Sequence, residues 1–174
     1  MESLSATDAL QRLLDIEQIK SLKARYCRYI DTKQWEAMYT LFCADACFNG
    51  FGSAPPGADV STFIKGVSTR LRDTISIHHC HMPEIRFQGR DLARAVWAMM
   101  DYVEWPAGTA PKEVPDSRGF YGYGHYEEEY RRESDAWRIA HMRLTRLRFD
   151  ALPADHPAAR MGILQACREW LEFP

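Results

Sequence analysis

Three histidines fall within four residues, at His78, His79 and His81, with Cys80 among them. Imidazoles clustered in this way either bind a metal or move protons near neutral pH. On an extended strand His78 and Cys80 face one way and His79 and His81 the other. Ligands two apart on a strand need partners from elsewhere, and no H-E-x-x-H or facial-triad spacing supplies them, so no metal is expected. A single histidine is more often a packed or surface residue than a catalyst, and the company of a carboxylate is what would favour proton transfer. Asp101 is a candidate: it shares a strand face with Trp97, Met99, Val103 and Trp105, and a carboxylate in such an apolar row must be paired. A histidine on an adjacent strand would be one partner, with its tautomer held and its basicity raised. A buried arginine or backbone amides would be the other.

Further groups could join them. Asp31 reads locally as a helix-ending turn residue. Tyr26 lies on the buried stripe of the same helix, so its hydroxyl needs a partner or a ligand. Arg143, Arg146 and Arg148 share the last strand, where an inward arginine would clamp an anion or neutralise Asp101. His125 is a possible pocket group. Trp97, Trp105, Tyr121 and Tyr123 suit a flat apolar ligand, and core packing explains them equally.

The elements that must position these residues change character along the chain. A helix capped at Thr7 or Asp8 runs to Asp31, with Leu13, Ile16, Ile19, Leu22, Tyr26 and Ile30 at helical spacing. A short helix follows over 34–42, then a brief strand at 46–48, a Gly/Pro-rich loop, and a third helix beginning at Asp59 or Ser61. From there the period becomes two. Segments 76–87, 93–105, 121–132 and 137–149 read as long strands, with tight turns at 88–91 and 133–135. Residues 106–117 form a longer loop with three prolines, a candidate lid. Helices followed by antiparallel strands predict an α+β domain over 1–150, with a tail over 151–174 that carries a short helix at 157–171. A twisted sheet curled around the helices makes a cone, a partial barrel that encloses a pocket.

Composition narrows the classes. The 174 residues make one ordinary domain. With 22 Lys plus Arg against 24 Asp plus Glu, a broadly basic nucleic-acid binder is excluded. No apolar run reaches the roughly 20 residues of a membrane helix, and the polar start does not resemble a secretory signal, so the cytoplasm is expected. The five cysteines form no C-x-x-C pair and read as free thiols.

Four stretches, at 24–35, 78–85, 95–130 and 137–150, resemble in order and spacing the SnoaL-like branch of the nuclear transport factor 2-like superfamily. The resemblance covers about residues 10–150 and implies a cone-shaped α+β barrel. Within the superfamily the pattern is most similar to bile acid 7α-dehydratases and scytalone dehydratases. It implies a catalytic set of Tyr26, Asp31, His78, Asp101 and Arg146, with His79 as the alternative to His78. A second histidine of the scytalone dehydratases falls near Val103, where this chain departs. The implied activity is a cofactor-independent lyase in which His78 shuttles a proton, Asp101 orients it, Tyr26 donates to the substrate, and Asp31 and Arg146 set charge and position. His79, His125, Trp97, Trp105 and Tyr123 would contact a small hydroxylated cyclic or aromatic substrate. An isomerase, an aldehyde-releasing lyase and a non-catalytic binding or assembly domain are the alternatives. A homo-oligomer, dimer or trimer, is expected through the exposed sheet face.

Overall fold

The computed structural model describes residues 5–157 and 170–171. The helix expected at 157–171 falls almost wholly outside them. Helix α1 spans Ala6–Asp31, two to three residues longer at its start than expected, because Ser5 accepts the Asp8 amide and caps it. Its apolar stripe is buried from Ile19 through Leu22 and Tyr26 to Ile30. Leu13, expected in that stripe, is 62% exposed. The first turns are held from the side instead, by Arg12, which donates to the Gly89 carbonyl and lies 4.0 Å over the Phe87 ring.

The end of α1 matters most. Gln34 N–H returns to the Tyr29 carbonyl and Lys33 N–H to Ile30, and Lys33 adopts φ 59°. This is a Schellman closure with lysine in the left-handed position that glycine usually fills. It stops the helix at Asp31. Helix α2 spans Trp35–Met38, and a tighter turn over Tyr39–Leu41 leads straight into β1, Phe42–Asn49. That strand, expected only at 46–48, is longer because it pairs in parallel with the last strand at both ends across a bulge. Helix α3, Val60–Leu71, is capped by Asp59, whose side chain accepts the Thr62 amide.

Four antiparallel strands follow, β2 Ile75–Gln88, β3 Leu92–Glu104, β4 Gly119–Glu133 and β5 Ala136–Leu152. The sheet order is β1-β5-β4-β3-β2, curved and unclosed, with β1 and β2 at its edges. Alternate residues of β3 and β4, including Ala95, Trp97, Met99, Phe120, Tyr126 and Tyr130, are buried in one core with the helices. No helix among the described residues is long and apolar enough to cross a membrane.

Candidate active site

Register places the polar groups in one row across the sheet. His78 on β2 is opposite Asp101 on β3, Asp101 is opposite Gly122 on β4, and Gly122 is opposite Phe149 on β5. One strand parity puts His78 and Asp101 on the buried face, where they are 9% and 2% exposed. His79 and His81 face outward.

The Schellman turn aims Asp31 at this row. Its Oδ1 accepts from His78 Nδ1 at 2.6 Å, and its Oδ2 accepts the His78 backbone amide at 2.8 Å. The ring proton therefore sits on Nδ1, and the Nε2 lone pair is free. Ser76 donates to Asp31 at 3.1 Å, and Lys33 Nζ donates to Ser76 at 2.7 Å. Burial lowers the Lys33 ammonium to about 8, although the nearby Asp31 carboxylate works against the shift.

Asp101 stands on the other side of the imidazole, its Oδ2 4.0 Å from Nε2. Arg146 on β5 grips it in a bidentate pair, with bonds of 2.6 and 2.5 Å. Burial disfavours the guanidinium charge, but the Asp101 pairing outweighs it, and the Arg146 pKa lies above its ordinary value. Gly122 makes the pair possible. A Cβ there would lie 2.2 Å from Asp101 Oδ1 and 2.4 Å from Arg146 Nη1, so the guanidinium reaches across β4 through the space a side chain would occupy.

Beneath the row lie Tyr26 and Tyr126, edge to face with centroids 5.9 Å apart. Burial pushes both phenols well above their usual pKa, so each stays a protonated donor. Lys23 Nζ sits 3.5 Å from the Tyr126 ring centroid and pairs with Glu128, both side chains fully buried. Glu128 also accepts from Tyr130, whose hydroxyl takes the Trp97 indole N–H at 2.9 Å.

Between the polar row and the two tyrosines lies a cavity of about 290 Å³. His78, Asp101, Arg146, Tyr26 and Tyr126 supply its polar groups, and Phe51, Trp105, Phe120, Leu144 and Phe149 its apolar walls. Arg70 and Glu113 pair on its wall, where the 105–118 loop meets α3. Of the residues expected from sequence, the structure gathers Tyr26, His78, Asp101, Arg146 and Trp105 around the cavity, with Asp31 behind His78. Four others need correction. Trp97 is buried in the hydrogen-bond chain to Tyr130, outside the cavity. Tyr123 and His125 have the parity opposite to Gly122, Gly124 and Tyr126 and stand on the outer sheet face, and His79 is outward on β2. The carboxylate that holds the imidazole is also different: Asp31 binds the ring N–H expected for Asp101, and Asp101 belongs to Arg146.

Tyr126 and the Lys23–Glu128 pair were not foreseen. The signal for Glu128 was the same as for Asp101, a carboxylate alternating with Tyr126 and Tyr130 on an apolar face. Among the described residues one further cluster, Cys43, Asp45 and Glu133, has three metal-type ligand atoms within 4.8 Å of one another. Arg131 fills it, paired with both carboxylates.

Residues 11–143 match the SnoaL-like domain family. The probable cyclase FGR4 of Gibberella zeae is 27% identical over 139 residues, 74% of this chain and 89% of the cyclase. Hexachlorocyclohexane dehydrochlorinase LinA-type3 of Novosphingobium barchaimii superposes with a TM-score of 0.69 at 17% identity, over 87% of this chain and 99% of its own. A candidate scytalone dehydratase of Novosphingobium aromaticivorans gives a TM-score of 0.67 at 18% identity, over 86% and 99%.

Proposed function

The chain belongs to the SnoaL-like domain family, and from that premise we propose that it is an acid–base lyase of the dehydratase type acting on a compact hydroxylated ring compound. The observation that carries this reading is His78, with its Nδ1–H spent on Asp31 and its Nε2 beside a closed polar row. In the reaction Nε2 takes a proton from the carbon next to a substrate carbonyl. The electron pair left behind becomes a carbon–carbon double bond as the C–O bond breaks, and the leaving hydroxyl departs as water with the proton the imidazolium returns. Asp31 and Asp101 flank the imidazolium while it is charged. Tyr26 donates to the developing enolate oxygen, and Arg146 keeps Asp101 in place.

A cavity of about 290 Å³ lies at the small end of ligand pockets, which suits a compact ring. The names of the relatives, a cyclase, a dehydrochlorinase and a candidate dehydratase, support a small-molecule converting enzyme. Elimination of water and of hydrogen chloride share the first proton abstraction.

The test is a panel of cyclic β-hydroxy ketones, followed by mass spectrometry for loss of one water and by absorbance of the conjugated product. Turnover should fall about 100-fold or more in His78→Ala while the circular dichroism spectrum is unchanged. Products of unchanged mass would make the enzyme an isomerase, release of an aldehyde a C–C lyase. Equal turnover in His78→Ala would remove the assignment altogether.

A further inference from the structure

We propose that Cys27 and Cys80 form a reversible, peroxide-responsive disulfide that staples α1 to β2 directly behind the candidate site. The two sulfurs are 3.5 Å apart, already in contact, and a bond needs an approach of about 1.5 Å more. One follows Tyr26 on the helix; the other lies two residues after His78 on the same strand face. Oxidation therefore links the two elements that bring Asp31 to His78.

Access and chemistry both fit. Each thiol is half-buried, in contrast to the buried Cys43. They line an open groove together with Lys20, Lys23, Met82 and Pro83. The two sulfurs are not equivalent. The two thiols share one hydrogen bond, which together with the nearby Lys23 ammonium lowers the Cys80 thiol below its ordinary value, whereas that same bond and burial push Cys27 up. Cys80 is thus the attacking thiolate and Cys27 the resolving thiol.

The step balances with a hydroperoxide as two-electron oxidant. The Cys80 thiolate attacks one peroxide oxygen, breaking the O–O bond and giving a sulfenic acid and hydroxide. Cys27 then attacks the Cys80 sulfur and expels the sulfenic oxygen as water. In sum, two thiols and hydrogen peroxide give one disulfide and two waters, and a dithiol reductant reverses it.

The experiment exposes the purified full chain to a slight excess of hydrogen peroxide. Free thiols should fall from five to three, intact mass should drop by two hydrogens, and digestion should yield one peptide pair joined through Cys27 and Cys80. The melting midpoint should rise by about 5 °C and return on adding dithiothreitol. In Cys27→Ser the reaction should stop at a Cys80 sulfenic acid trapped by dimedone; in Cys80→Ser, Cys27 should stay reduced. Five surviving thiols, a bridge between another pair, wild-type protein that accumulates oxidised Cys80 without the bridge, or an unmoved melting midpoint would each overturn the staple. None of these readouts uses the lyase activity.

Discussion

Asp31 holds His78 twice, at the ring through Nδ1 and at the backbone through the amide, with one carboxylate oxygen for each. A contact to the ring alone would set the tautomer and leave carboxylate and imidazole free to swing together away from the strand. A contact to the amide alone would fix the strand and not the tautomer. The double grip sets both, and it does so from the last residue of a helix that Lys33 closes in the left-handed conformation. The His78–Asp31 pair thus crosses from α1 to β2, and Asp101 on β3 is held separately by Arg146.

Asp31→Asn separates these roles. The amide has one acceptor oxygen for two N–H donors, so serving the backbone turns its NH₂ toward Nδ1. The imidazole then moves its proton to Nε2 and loses its basic lone pair. Turnover in the ring-compound assay should drop by about 10²–10⁴, with little change in apparent substrate affinity. A variant with wild-type turnover would show that the tautomer is not set by Asp31.

How the sequence and structure compare is clearest at these two carboxylates. Asp101 was legible because a period-two strand fixes its face, and a charged residue in the row of Trp97, Met99 and Val103 stands out against apolar neighbours. The same parity put His78 and His79 on opposite faces, and only the register of His78 with Asp101 says which of the two points inward. Asp31 looked like a turn residue because its partner is 47 positions away, and the turn that aims it depends on Lys33 taking a conformation unusual for its type. Aromatic content misled on β4, where no parity was applied: Tyr123 and His125 belong to the outer face, and the inward positions beside them are glycines. Those glycines were readable as strand residues but not as the gap through which Arg146 reaches Asp101. The lengthening of β1 likewise arises from pairing with β5, a contact that no local pattern announces.

Gly122→Ala tests that gap. The added methyl falls within 2.4 Å of both partners in the Asp101–Arg146 pair, so the guanidinium must leave its bidentate position. We expect turnover to fall by about 10–100-fold through misplacement of groups that position the proton transfer. Far-ultraviolet circular dichroism should remain that of the wild type. Full activity in the alanine variant would mean that the clamp is dispensable.

The Lys23–Glu128 pair is fully buried, and its worth lies in mutual neutralisation. Lys23→Met leaves Glu128 without its cation and should destabilise the protein by about 3–5 kcal/mol in urea unfolding. Adding Glu128→Gln to the same chain removes the stranded charge and should restore most of that loss. A double variant no more stable than the single one would place the cost in packing around Tyr26 and Tyr126 rather than in charge.

Lys33 supplies a pH dependence whose sign follows from burial. Its ammonium titrates near 8 in the folded chain against 10.5 when unfolded, because burial disfavours the charge more than the Asp31 carboxylate favours it. Between those values the unfolded chain binds the extra proton, so this group adds stability as pH rises from about 8 to about 10.5 and withdraws it as pH falls back through 8. Other groups titrate in the same window, which makes the comparison with Lys33→Met the informative one. The difference in urea midpoint between wild type and variant should shift in favour of the wild type at each step from pH 8 to pH 10, then level off. A difference that stays flat over this range would mean that the Lys33 ammonium is as well solvated in the folded protein as in the unfolded chain.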